Sequence, residues 1–187
     1  MKINHLALKA IYFHEMDRFR RTLTQSLLSP VLTTSLYFIV FGSVIGGYVE
    51  KIDGISYGSY IVPGLLMLTL LTQSISNTSF GIFFPKFNGT IYEILAAPIS
   101  TFEVVLAFVG AGATKTLIVS IIIFFTSLFF VDVQVKYPFL MIFLLILVAF
   151  TFALFGFLIG LISSDFEQMS IIPTLFITPM VFLGGSL

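Results

Sequence analysis

The chain contains no cysteine, which excludes disulfides and thiolate chemistry and leaves its redox compartment unmarked. Histidine is nearly as scarce. His5 and His14 stand alone, with no second cluster of ligands near them, and they make no recognisable metal site. Charge is the third shortage: only 10% of the 187 residues are Asp, Glu, Lys or Arg, against roughly 25% in a soluble domain. Nine basic residues balance nine acidic ones, so net charge gives no reason to expect nucleic acid as a partner. Glycine and proline are too sparse for low complexity, and 23 phenylalanines exclude a disordered tail. What is present is apolar: 58% of residues are hydrophobic and the mean hydropathy is +1.09. This is the composition of an integral membrane protein.

Distances between charges measure the spans. Uncharged runs of 28, 32 and 28 residues cover Thr22 to Val49, Gly54 to Pro85 and Tyr137 to Ser164, and a bilayer core needs about 20 apolar residues. Val104 to Val131 is interrupted only by Lys115, and no charge follows Glu167. Five hydrophobic segments result, at 31–49, 58–80, 104–130, 138–162 and 169–187. Continuous apolar runs without period-2 alternation select helices over barrel strands, so the fold class is all-α.

Basic residues orient the bundle. With the N-terminus in the cytoplasm, Lys2, Lys9, Arg18, Arg20, Arg21 and Lys86 lie inside and only Lys51 and Lys136 outside. The first apolar run is too long for a signal-peptide core and lacks an A-x-A-like exit, so no cleavage is expected. Ahead of it, residues 1–29 form a different segment. Leu8, Tyr12, Met16, Phe19 and Leu23 make one apolar stripe, with Asn4, His14, Asp17, Arg18 and Arg21 across from it. The pattern suits an amphipathic helix in the cytoplasmic headgroup layer, or one packed on the rest of the protein. Pro30 is expected to end it, leaving 30–187 as a helical bundle within one domain of 1–187.

Three stretches on the cytoplasmic face carry the order of a capping box: Thr90 to Glu93, Ser100 to Glu103 and Ser164 to Glu167. The first predicts a short helix through about Ala97, ended by Pro98. Helix capping also accounts for Glu93 and Glu103 better than an acid–base pair does. Gly110 to Thr116 imitates a phosphate-binding loop, but it lacks glycine before Lys115, follows no strand and lies within a span. No catalytic, cofactor-binding or metal residues are assigned.

Intramembrane polar residues are the remaining candidates. Lys115 sits near the middle of the third span, where an unpaired ammonium costs at least about 2.5–3.5 kcal/mol. It must snorkel, pair with another helix or serve a pathway. Thr69, Thr72, Gln73, Ser76 and Asn77 follow i, i+3, i+4, i+7, i+8 spacing and form one polar stripe, for helix contact or for lining a substrate route. Gly42-x-x-x-Gly46 and Gly156-x-x-x-Gly160 permit close helix approach, more often within a subunit than across a dimer seam.

The cytoplasmic stretch Phe84-Pro85-Lys86-Phe87-Asn88-Gly89-Thr90-Ile91-Tyr92-Glu93-Ile94-Leu95-Ala96-Ala97-Pro98-Ile99-Ser100 resembles the type-2 ABC exporter permeases. Pro63-Gly64-Leu65-Leu66-Met67, Pro173 with Pro179, and Gly184-Gly185 are similar to that family as well. The resemblance implies a dimer of permease halves in the plasma or inner membrane, bound to separate ATP-binding cassette subunits that hold the ATP and the ATPase activity. It implies that the helix after the second span docks on the ATPase, a role falling on Thr90, Ile91, Glu93, Ile94 and Leu95. The N-terminal helix can add to that contact. Because the family usually has six spans, five here suggest a chain lacking the last helix. An ATP-independent carrier or channel and a structural membrane anchor are the competing functions. No repeated halves support the carrier, and outer loops at 50–57 and 131–137 are too short for a receptor domain.

Overall fold

Backbone groups in a bilayer must be satisfied within their own segment, and helices make up nearly all of the described chain. The computed structural model describes residues 4–40, 51–52, 55–131 and 135–183. In order, α1 (His5–Arg21) and α2 (Leu23–Tyr37) are followed by a two-residue antiparallel pair, β1 (Lys51–Ile52) with β2 (Ile55–Ser56). Then come α3 (Tyr57–Phe87), the short α4 (Ile91–Ala96), α5 (Thr101–Ser127), α6 (Pro138–Ile162) and α7 (Phe166–Leu183). Four helical stretches are long and apolar enough to cross a membrane: Leu23–Val40, Tyr57–Phe87, Thr101–Ser127 and Pro138–Ile162. The fifth hydrophobic segment falls on the 18 residues of α7, and its last four residues lie outside the described ones.

The entry to the bundle differs from the sequence expectation. The break between α1 and α2 is at Thr22, not at Pro30, which lies buried inside α2. Thr22 leaves helical geometry, and both its N–H and its hydroxyl reach back to the carbonyls of Arg18 and Phe19, closing α1. Proline removes only one backbone donor, a loss that a membrane helix accommodates. The first helical stretch long and apolar enough to cross therefore begins at residue 23, where a span from 31 was expected.

A second correction concerns the capping boxes. Ser100 forms its box with Glu103 in full, hydroxyl to N–H at 3.3 Å and carboxylate to N–H at 2.8 Å. Thr90 makes no side-chain cap on α4; its hydroxyl turns back to the Pro85 carbonyl. At the start of α7 it is Gln168, rather than Glu167, that accepts from the Ser164 N–H.

α3 is the hub, contributing to all three apolar clusters. Leu70 and Ile82 join Val104, Phe108, Val109 and Ala113 of α5 and Ala149, Ala153 and Phe157 of α6. Ile61, Val62, Leu65 and Leu66 join Phe19 of α1 and Val119 and Ile123 of α5. Ile75 meets Ile159 and Ile177. Small residues allow the closest approach. Ala149, Ala153, Gly156 and Gly160 lie buried along one side of α6, and a Cβ at Gly156 would stand 2.5 Å from the Ile75 carbonyl oxygen of α3. The second glycine pair is thus a contact within the chain; Gly42 and Gly46 fall outside the described residues. Lys86 closes this end of the bundle, donating to the Leu161 and Ser163 carbonyls at the end of α6 at 2.7 and 2.8 Å.

Candidate functional site

Lys115 neither snorkels nor stands alone. Its Nζ donates to Glu15 Oε2 of α1 at 2.7 Å, and both side chains are almost completely buried. Arg18, one turn along α1, reaches the same oxygen at 2.9 Å and lays its guanidinium over the Phe84 ring. Gly81 of α3 lies beside the carboxylate, and an added Cβ there would sit in ordinary contact, 3.4 Å from Glu15 Oε2. Sequence reasoning missed Glu15, although the signal was present. The residue lies on the same side of α1 as Tyr12, Met16 and Phe19, a carboxylate set among apolar side chains.

Glu15 also shows α1 packed against the rest of the protein, as one of its two readings expected. Phe19 is buried, and Leu8, Tyr12 and Met16 are half-buried against the bundle, with only Leu23 of that stripe exposed. The Tyr12 hydroxyl donates to Thr114 Oγ1 at 3.0 Å, and the Asn4 N–H donates to Glu103 Oε1. Partners advance in the same sense along both helices, so α1 climbs along the first half of α5.

The polar stripe on α3 divides. Thr69, Thr72 and Gln73 line a cleft of about 260 Å³ facing Ser29, Thr33, Thr34 and Tyr37 of α2. The Thr69 and Thr72 hydroxyls donate to the Leu65 and Leu68 carbonyls, which leaves them lone pairs to offer a further donor. Asn77 turns the other way and donates to Gln73 Oε1 and to Thr116 Oγ1 of α5, at 3.4 and 3.3 Å. Neither Ser76 nor Asn77 lines the cleft, and neither does Lys115. On α2 the spacing of Ser29, Thr33 and Tyr37, four apart, was the unread half of this site.

On α4 the expected apolar docking face splits as well. Ile91 and Ile94 are half-buried against the α3–α5–α6 cluster. Leu95 is 68% exposed and Tyr92, not singled out from sequence, is 74% exposed. Glu93 is exposed beside them, and Phe87 and Phe102 add exposed rings at the neighbouring helix ends. Gly89, with φ of +79°, takes the left-handed turn between α3 and α4.

A hub helix long and apolar enough to cross a membrane, a polar cleft between two such helices and a short helix with exposed apolar residues fit a membrane transport subunit. Residues 7–187 match the family of ABC-2 type transporters, and the chain belongs to that family. It is 39% identical over 185 residues to the inner membrane transport permease YadH of Escherichia coli K12, covering 99% of this chain and 72% of that protein. Nodulation protein J of Rhizobium leguminosarum bv. viciae is 22% identical over 183 residues, covering 95% of this chain and 69% of that protein. Its counterpart in Rhizobium meliloti is 23% identical over the same length, covering 95% and 68%. No solved structure matches the chain. The protein is a transmembrane permease of an ABC transport system. In general such permeases associate with a cassette subunit that carries the ATPase activity, and with a second permease half.

Proposed function

We propose that this permease is an exporter half of the inner membrane, in which α4 receives the thrust of a separate ATP-binding cassette ATPase. One observation carries the reading: α4 is fixed on one side and open on the other. Ile91 and Ile94 tie it to the α3–α5–α6 cluster, whereas Tyr92 and Leu95 project outward. A load on the open side therefore reaches the spans instead of being lost in a loose loop. Thr90 supports the turn before α4, and Glu93 borders the open side. The inner-membrane location follows the name of the Escherichia coli relative.

In this reading the N-terminus is cytoplasmic, α7 is the fifth span, and a second copy or a homologous half completes the substrate route. The α2 face supports that arrangement: Ser29 and Thr33 are exposed polar residues within a span, and lipid satisfies neither. The cleft walled by Thr33, Thr69, Thr72 and Gln73 is the substrate-contact surface. The bilayer covers α6, whose outward side chains are almost all apolar.

Leu95→Glu tests the coupling. It places a carboxylate on the open side of α4 without touching Ile91 or Ile94. Membrane levels should stay at those of the parent while a co-purifying cassette ATPase is lost and transport stops. Retention of both the ATPase and transport would make α4 an ordinary connecting helix.

A further inference from the structure

Among the described residues three charged side chains are buried, Glu15, Lys115 and Glu103, and all three lie on the seam between α1 and α5. Glu103 holds the lower end. One carboxylate oxygen accepts from the Asn4 N–H at the start of α1, the other from the Ser100 N–H at the exit from α4. Asn4 also donates its side-chain amide to the Pro98 carbonyl at 3.4 Å. About 18 Å further along α5, Lys115 pairs with Glu15 at 2.7 Å. Between these points Tyr12 bonds Thr114.

Charges buried at both ends of a seam do what apolar packing does not: they fix its register. Sliding α1 by one turn would leave Lys115 facing an apolar side chain and Glu15 without its ammonium. α1 and α5 therefore have one permitted alignment, and the link after α4, at Pro98 and Ser100, is bonded to both through Asn4 and Glu103.

We infer that Glu15 and Glu103 are positioning residues that lock the N-terminal helix to the third span, so that α1, the α4–α5 corner and α5 move as one body in the transport cycle. The statement about the cycle rests on the permease reading above. The statement that α1 is held by charge stands on the seam alone.

The absence of cysteine makes both parts testable in the full chain. Met16→Cys places a half-buried thiol on the docked side of α1, to be labelled by a maleimide in native membranes. Adding Glu15→Gln or Lys115→Met should raise its labelling rate roughly tenfold or more, because undocking opens the seam locally. The exchange Glu15→Lys with Lys115→Glu, made with Arg18→Gln because Arg18 shares the Glu15 oxygen, should bring the rate back near that of the parent. Unchanged labelling in the single variants, or no recovery in the exchange, overturns the charge lock.

For the cycle, Tyr12→Cys with Gly110→Cys are bridged by a short bifunctional thiol reagent, since a Cβ at Gly110 stands 3.9 Å from the Tyr12 ring. This needs no charge variant and reads the proposal even where those variants fail to accumulate. ATP hydrolysis by the co-purified complex should persist after bridging; its loss shows that α1 and α5 must separate and overturns the one-body motion. Failure of any cassette protein to co-purify with the parent chain would sink the permease mechanism instead, while the labelling of residue 16 still decides the lock.

Discussion

Five helix glycines experience very different surroundings, and substituting alanine at each separates packing from propensity. At Gly156 the new Cβ would lie 2.5 Å from the Ile75 carbonyl oxygen and 2.7 Å from its Cα. At Gly160 it would meet the Ser79 carbonyl oxygen at 2.6 Å, and at Gly112 it would collide with the Thr78 hydroxyl. Ordinary contact begins near 3.4 Å, so at Gly156 helices α3 and α6 must part by about 1 Å and lose dispersion along the whole crossing. Backbone atoms cannot rotate away as a side chain can. Overpacking of this kind costs about 1–3 kcal/mol. Gly81 and Gly110 offer 3.4 and 3.9 Å to the nearest side-chain atoms of Glu15 and Tyr12, and a methyl group fits there. The gain of alanine over glycine in helix propensity, at most about 1 kcal/mol, is common to the series and cancels between positions. Heating the detergent-solubilised protein and measuring the monodisperse fraction reads the difference. Gly156→Ala and Gly160→Ala should melt several degrees below Gly110→Ala, at roughly 2–4 °C per kcal/mol for a chain of this size. Equal midpoints for Gly156→Ala and Gly110→Ala would refute a backbone-close crossing of α3 and α6.

Other outcomes follow from the same geometry. Lys86→Met removes the ammonium that closes the end of α6 and should cost about 1 kcal/mol, seen as a slightly lower melting midpoint. Thr72→Cys, in the cleft, should react with a small polar thiol reagent at least roughly tenfold faster than Ser74→Cys, which is fully buried two residues away; equal rates would close the cleft to water. In intact cells an impermeant thiol reagent should label Lys136→Cys and leave Asn88→Cys untouched until the membrane is opened. The reverse pattern would invert the orientation.

Charge spacing placed the long helices, because a run of uncharged residues long enough to span has few alternatives in lipid. Local backbone geometry at their ends was less legible. Thr90 to Glu93 and Ser100 to Glu103 carry the same capping signature, yet only the second forms. Ser100 is extended, with φ of −79° and ψ of 151°, which aims its hydroxyl at the next turn. Thr90, at φ of −67° and ψ of −12°, already has helical geometry and cannot do so. The glycine turn just before it sets that geometry. Pro30 taught the same lesson in reverse: a strong helix breaker in water is absorbed within α2, and Thr22, with no such reputation, ends α1.

Choice of partner between helices was the least legible feature, since it depends on pairs far apart in sequence. Lys115 announces that it needs an anion, but nothing within α5 says which carboxylate answers from a hundred residues away. The stripe on α3 makes the point on a shorter scale. Its five residues share one face by periodicity, and helix contact and cleft lining were open as alternatives for all of them. Thr69 and Asn77 are eight residues apart, about 12 Å along the axis, far enough for the neighbouring helix to change. α2 stands opposite Thr69, Thr72 and Gln73, and α5 stands opposite Asn77. A hydroxyl facing α2 meets a cleft, whereas the amide facing α5 finds Thr116. Periodicity assigns a face to a helix; the depth at which each neighbour crosses decides what that face does, and one stripe can hold the bundle together at one level and open it at the next.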